Sequence, residues 1–526
     1  MGIMNYNFKK LRNMKNKNLI YAFVISFLFV FSGCQKLDVE NLNNPDSATV
    51  LANPNDLAGL AGGIMNGWFQ QSQEYDGLGL ALWVGADVGT CSWGNSGMRD
   101  FSNEPRNAWN NDGAYSYANI TRSHYLGMNS TLSLSNQILN QIVNNGAELE
   151  TPAETAAVEA MARLGQGLGM GYIALVFDKG FIVDETINLE SDEIPAVPYN
   201  ELSAAAIAKI DQAIALCSTS FTLPAAWIPG MTWTNVELGK LANSFAARLL
   251  INTSRTAAEN SAVDWARVKA YAEKGIDFDF APLADDINWY SLYQTYSVYG
   301  GWGQVDMRVI HMMDPNMPDY FPESLSFDDL PNQGLATSDD ARLLTDFEYK
   351  SSCPFRANRG SYHFSSYRYA RLDQYLATWT EPMPEMRKAE NDLMLAEAKL
   401  MLGDAAGAAA IVNAGTRVTR GGLAPVDAAG VGAAIKYERT IELTLTGFGL
   451  EFFDMRRADM LQKGTPLHFP IPQQQLDVMQ MENYTFGGVA NADGVNASNG
   501  GWNSKKSARA YSNSPSVLGD DLPLIK

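Results

Sequence analysis

The sequence predicts a mostly α-helical protein: pairs of helices form a scaffold, interrupted by long loop-rich insertions and a few short strands. Three observations lead there. Apolar residues recur at three- and four-residue steps in nine separate stretches, the spacing of a one-sided helix. Small residues such as Ala246-Ala247, Ala396, Ala398 and Ala408 to Ala410 sit among those apolar ones, which lets paired helices approach closely. Hydrophobic residues make up 46% of 526, so a chain of this size fills a core without disulfide staples.

The elements follow in order. Residues 41 to 60 are rich in Asn, Pro and Asp, reading as a tether into a first helix near Leu57 to Phe69. Residues 76 to 120 are Gly-, Asn- and Trp-rich without helical period and read as a long loop region. Helices are expected at Leu132 to Val143 and Glu154 to Val176, then at Asn200 to Leu216, Thr234 to Asn252 and Trp265 to Gly275. Three more are expected at Glu385 to Leu402, Ala405 to Arg417 and Val431 to Leu445. Consecutive pairs of this size look like tetratricopeptide units, although no clean repeat is visible. Segments 281 to 384 and 464 to 526 read as loops with short strands. The alternating Gly165, Gly167, Gly169 and Gly171 follow no strand and precede no Lys-Ser or Lys-Thr, so they read as close helix packing, not a phosphate loop.

The N-terminus sets the compartment. Lys9, Lys10, Arg12, Lys15 and Lys17 precede thirteen nearly all apolar residues, Leu19 to Phe31, too few to span a bilayer. Phe31-Ser32-Gly33-Cys34 then looks like a bacterial lipobox, with Phe31 where the pattern usually has Leu. The resemblance implies cleavage before Cys34 and lipidation of its sulfur; an ordinary signal peptide with an incidental cysteine is the alternative. A start at Met14 would shorten the basic stretch without changing this reading. Losing five basic groups and no acidic one takes the net charge from −19 to −24. Gln35 to Glu40 resembles the export tether of surface lipoproteins in Bacteroidetes.

Charge and composition exclude several functions. The acidic balance opposes a nucleic-acid partner, and it disfavours polyanionic glycans at low salt. Cys91, Cys217 and Cys353 are odd in number and widely spaced, so no disulfide framework or zinc site is expected. No zincin or nucleophile-elbow signature is present, and the four histidines are scattered. Asn491 to Asn496 carries oxygen ligands for calcium but lacks the closing Glu. No metal, cofactor or catalytic residue is assigned. Glu438 and Glu442 lie one turn apart, and Arg456 and Arg457 follow on the next element, which predicts buried ion pairing. Alternating Tyr and Arg in 367 to 371 reads as a strand with two faces.

Aromatic residues carry the binding chemistry. A sugar presents flat C–H faces flanked by hydroxyls, so a binder needs exposed rings beside amide or guanidinium groups. One such segment runs from Trp83 to Tyr125 and includes Trp93, Asn95, Arg99, Trp109 and Asn110. The other carries Trp289, Tyr290, Tyr293, Tyr296, Tyr299 and Trp302. Its three-residue step suits rings fanning out from a loop or a short tight helix.

Four blocks carry a family resemblance. The first is the Cys34 lipobox followed by Asn44-Pro45-Asp46. The second is Glu159 and Arg163 with Tyr172, Leu175, Phe177, Asp178, Lys179 and Gly180. The third is Arg387 to Glu390, Leu395 to Ala398, Asn413, Arg417, Arg420 and Gly422-Leu423. The fourth is Glu438-Arg439, Glu442-Leu443, Gly447, Phe453 to Arg457, and Phe469 to Pro472 before Tyr484. Together they resemble the SusD/RagB family of outer-membrane nutrient-binding lipoproteins across the mature chain. Asp178-Lys179 stands where that family has Tyr in a "YG"-type turn, and Thr446 to Gly449 where it has Glu-Gly-x-Arg.

The resemblance implies a signal peptide over 1–33 and one ligand-binding domain over 34–526. The helical scaffold falls mainly in 130–280 and 385–460, and the loop-rich ligand face mainly in 70–125 and 281–384. It implies a lipid-anchored outer-membrane protein facing the exterior. Such a protein captures an oligosaccharide and delivers it to a TonB-dependent, SusC-like barrel transporter as its lid, without covalent chemistry. Carried to this chain, the ligand face would use Trp93, Asn95, Trp109, Tyr296 and Trp302. Rival readings are peptide capture within the family, a surface glycan hydrolase, and a helical scaffold without a small ligand.

Overall fold

The computed structural model describes residues 54–75, 77–91, 94–189, 191–321, 325, 331–352 and 363–503. Cys34, Asn44 to Asp46, Trp93 and Cys353 lie outside them. The first helix, α1 (Pro54–Gln73), is longer than the apolar period suggested. α2 (Gly79–Gly85) and β1 (Gly89–Cys91) follow, then α3 (Asn119–Leu139) and α4 (Pro152–Val176). A hairpin of β2 (Lys179–Phe181) and β3 (Ala196–Pro198) leads to α5 (Tyr199–Leu216), α6 (Asn235–Asn252) and α7 (Trp265–Ala272).

The helix starts obey local chemistry. Thr151 accepts from the Glu154 N–H at 3.1 Å, and Pro152 occupies the first turn of α4, where no N–H is needed. Thr234 and Glu237 cap α6 reciprocally.

α4 is the hub of the scaffold. Every residue from Ala160 to Val176 is buried, as expected of a helix apolar all round. Its alternate glycines face different neighbours in turn. A Cβ at Gly165 would collide with Ser135 on α3 and Ile64 on α1, and one at Gly167 with Ile210 on α5. One at Gly169 would sit 2.8 Å from the Met128 carbonyl oxygen of α3, and one at Gly171 2.6 Å from Leu249 of α6. The expectation of close helix packing therefore holds at each position.

The remaining elements build the other half. α8 (Leu292–Val298), β4 (Gly303–Val305), α9 (Met307–Met313), β5 (Phe347–Tyr349) and β6 (Tyr367–Tyr369) interrupt the scaffold. It resumes with α10 (Lys388–Met401) and α11 (Ala405–Ala414), three residues apart, and continues with α12 (Val431–Ile441) and α13 (Leu450–Arg457). α10, α11 and α12 close over Leu393, Ala396, Ala408, Val412, Val431 and Ile435. The strands form three two-stranded antiparallel pairs, β1–β4, β2–β3 and β5–β6. In β6, Tyr367 and Tyr369 turn inward while Arg368 is half-buried, the two-faced strand expected.

One region departs from expectation. Residues 76 to 120 lack helical period and are expected to be loop, yet all seven residues of α2 are buried and 98–101 form a helical turn. Leu80, Leu82, Trp83 and Val84 are each at most 2% exposed, and a Cβ at Gly449, which begins α13, would meet Leu82. Burial of four large apolar side chains outweighs the helix cost of the flanking glycines.

Candidate functional site

The two aromatic segments, some 200 residues apart in the chain, meet through β1 and β4. Cys91 pairs with Gly303 and Gly89 with Val305, so the turn ahead of β4 and the loop after β1 are neighbours. Gly301 has φ +87°, a conformation that costs glycine nothing, and the Trp302 and Gly303 N–H groups both reach back to the Tyr299 carbonyl. That tight turn places Tyr299 and Trp302 face to face.

Their rings stack with centroids 4.7 Å apart and planes 26° from parallel. Tyr299 is 42% exposed, and Trp302 is half-buried. Trp302 also packs on Tyr296 at 5.5 Å, and Tyr296 on Tyr75 at 5.7 Å. The result is a row of four rings, open at Tyr299 and closed at Tyr296. The Tyr296 hydroxyl donates to Asn95 Oδ1 at 3.0 Å, and the Ser96 hydroxyl donates to the Tyr75 carbonyl at 3.1 Å. Both bonds tie the post-β1 loop to the rings.

The base of the row is fastened to the core. Ser291 caps α8 through the Gln294 N–H at 3.0 Å and donates its hydroxyl to Gln73 Oε1 at 2.6 Å. Gln73 in turn donates to Glu385 at 2.8 Å, and Glu385 pairs with Arg248 at 3.0 Å. Burial pushes Glu385 up to about 7, against the pull of Arg248. At the other end of α8, Arg368 donates to the Val298 carbonyl at 3.1 Å while pairing with Asp373 at 2.6 Å. Rings held this way lose little freedom on binding, which preserves affinity.

The site residues expected from sequence divide three ways. Trp302 and Asn95 stand together at the row. Tyr296 belongs to it but is 0% exposed, so its contribution is support and not an open face. Trp109 corrects the expectation: it is 4% exposed and packs edge-on against Phe469 at 5.1 Å and Tyr115 at 5.8 Å, a core ring. Trp93 lies outside the described residues. Sequence reasoning passed over Tyr75, which follows α1 directly and precedes the stretch read as loop. It also left Tyr299 among the fan of rings, because a three-residue step does not tell an inward ring from an outward one.

The C-terminal ion pairs also differ from expectation. Glu438 and Glu442 face Arg342, at 2.7 and 3.2 Å, with Arg420 and Arg371 closing on Glu442 at 2.7 and 3.0 Å. Arg456 instead donates to the carbonyls of Leu175, Asn252 and Leu467 at 2.7–2.9 Å, and Arg457 pairs with Glu397 and Asp454. A buried network braces these helices, with partners that one-turn spacing cannot name. Asp493 accepts the N–H groups of Val495, Asn496 and Ala497, which occupies the carboxylate considered for calcium. Among the described residues no group of three acidic, His or Cys side chains is placed to hold a metal, and no helix is long and apolar enough to cross a membrane.

With this geometry in view, comparison with known proteins is informative. Residues 349–514 match the model of the SusD family. The third and fourth resemblance blocks lie inside that span, and the first two lie before it. No curated protein sequence matches the chain. A SusD-like carbohydrate binding protein from Bacteroides vulgatus ATCC 8482 superposes with a TM-score of 0.53 at 15% identity, covering 79% of this chain and 86% of that one. A SusD superfamily protein from Bacteroides thetaiotaomicron VPI-5482 gives 0.55 at 12% identity, covering 81% and 98%. Another from Parabacteroides distasonis ATCC 8503 gives 0.54 at 13%, covering 83% and 98%. At such identities the likeness is one of fold.

Proposed function

We propose that this chain, SusD-like in fold and matched to the SusD family over residues 349–514, is an outer-membrane lipoprotein that captures oligosaccharides. The observation that carries the reading is the stacked Tyr299–Trp302 pair, 4.7 Å between centroids, presented at the surface beside Asn95. Stacked, partly open rings offer the flat apolar surface that a pyranose C–H face needs. One protein of this fold, from Bacteroides vulgatus, is described as a SusD-like carbohydrate binding protein, which points the same way.

In this reading residues 1–33 are the lipoprotein signal, Cys34 carries the lipid, and residues 34–526 form the binding domain. The bound glycan passes to a TonB-dependent barrel transporter that the protein covers as a lid. The work is binding and gating, with no bond made or broken. Titration calorimetry of the mature protein against a panel of neutral and acidic oligosaccharides tests it. Binding of at least one neutral oligosaccharide, weakened by Trp302→Ala, is the expected outcome. Binding of peptides with no response to any glycan would replace this reading with peptide capture.

A further inference from the structure

A separate cavity of about 480 Å³ opens between α9, α12 and α13, away from the four rings in the chain and not lined by any of them. Its size is that of a small-molecule site. The wall is largely apolar, with Met312, Ile435, Met455 and Met460 joined by the indole of Trp502. Methionines fill space adaptably, so such a wall accepts hydrocarbon bodies of varied shape.

The charges around the cavity are unevenly satisfied. Four carboxylates line it: Glu397 and Asp454 are engaged by Arg457 at 2.5 and 3.0 Å, Asp454 also by Arg439 at 2.7 Å, Glu451 accepts the Leu445 N–H at 2.8 Å, and Asp319 stands at the lining too. Two cations in the same lining, Arg308 and Lys436, have no carboxylate within ion-pair distance among the described residues. Arg308 spends Nε and Nη2 on the carbonyls of Asp87 and Ala86, at 3.0 and 3.3 Å, and among the described residues its Nη1 meets the Met312 sulfur at 3.6 Å. Its guanidinium lies 5.8 Å from the Trp502 ring. Burial holds Arg308 below its ordinary value against the opposing charges of Asp306 and Asp87, and Asp306 is itself pushed well up by burial and by Asp87. Arg308 feels the charge of Asp306 and Asp87 but makes no direct ion pair with either among the described residues. Lys436 is exposed beside the opening.

We propose that this cavity binds a small monocarboxylate with an apolar body, its carboxylate directed to Arg308 and Lys436 and its hydrocarbon portion against the methionine–tryptophan wall. A desolvated guanidinium without a direct ion pair gains most from a carboxylate, and an apolar wall gains nothing from hydroxyls. The site acts independently of the ring row, so a ligand at one leaves the other unaffected.

Calorimetric titration of the mature protein with octanoate, benzoate, benzamide and glucuronate tests the assignment. Octanoate or benzoate binds with a Kd on the order of 0.1–1 mM, while benzamide, which lacks the charge, binds at least about tenfold more weakly. Lys436→Glu, at an exposed position, weakens the acid by roughly tenfold, and Ala458→Trp, which fills the cavity, removes the signal with thermal stability retained. Trp302→Ala leaves acid binding at the parent value, whatever it does to glycan binding. Equal binding of benzoate and benzamide, unchanged binding in Ala458→Trp, tighter binding of glucuronate than of both hydrocarbon acids, or no acid binding at all would each overturn it.

Discussion

The hydroxyl of Tyr296 donates to Oδ1 of Asn95 across 3.0 Å, joining two residues 201 positions apart in the chain. Through that bond the loop after β1 and the turn before β4 become one surface. Tyr296 is fully buried, so it holds Asn95 in place from beneath while Tyr299 is exposed and Trp302 is half-buried against both tyrosines.

The outward and inward rings should behave oppositely on truncation. A sugar contact of about 40–80 Å² on one ring is worth roughly 1–2 kcal/mol, so Trp302→Ala or Tyr299→Ala weakens glycan binding by about 5- to 30-fold. Neither should move the melting temperature far. Trp109→Ala, in contrast, should cost about 3–5 kcal/mol of stability. Calorimetry and thermal melts of the three variants check both halves, and a Trp302→Ala protein that binds glycan like the parent would remove the ring row from the site.

Packing at the hub should be intolerant of volume. Gly169→Val would press a branched side chain against the Met128 backbone, 2.8 Å from where its Cβ must go. Backbone cannot rotate away as a side chain does, so a loss of at least about 1–3 kcal/mol is expected in urea unfolding.

Stability should carry a signature of the buried acid Glu451. Burial, with Asp454 and Glu390 adding to it, pushes this carboxyl from 4.5 up to about 7, although the Leu445 N–H pulls it down. The folded protein thus holds the proton more tightly than the unfolded chain. Its stabilising contribution is complete below about pH 4.5 and is lost as pH rises towards about 7, by up to about 3 kcal/mol. Glu451→Gln stays neutral throughout, so relative to the parent it gains stability between pH 5 and pH 8. Parallel unfolding midpoints for the two proteins at both pH values would contradict this.

Arg342 should be among the least replaceable side chains. It is fully buried and pairs with Asp340, Glu438 and Glu442 at 2.7–3.2 Å. Arg342→Met takes the close cation from Asp340 and Glu438, while Glu442 keeps Arg420 and Arg371, and is expected to cost about 3–5 kcal/mol, read from denaturant unfolding.

Attachment has its own test. Cys34→Ala should release the protein from the outer-membrane fraction in cells lacking the barrel partner. Continued recovery with membranes would count against lipidation at this residue.

Much of this protein was legible from residue spacing. The glycine alternation in α4 and the apolar period of α5, α6, α10 and α12 identify helices that pack closely, because a helix repeats every 3.6 residues whatever surrounds it. What spacing could not decide was which way a side chain faces once elements cross. α2 looked like loop because its glycines are local, while the reason it is helical, burial against α13, is 370 residues distant in the chain. Trp109 and Trp302 are alike as letters in aromatic, amide-rich segments. Only the β1–β4 pairing and the Gly301 turn turn one outward, and only Phe469 and Tyr115 close over the other. The same holds for Glu438 and Glu442, whose nearest arginines along the chain proved to be partners of other groups. Periodicity is a property of the chain and can be read from it; burial and charge pairing are properties of what the fold brings alongside, and tertiary structure alone decides them.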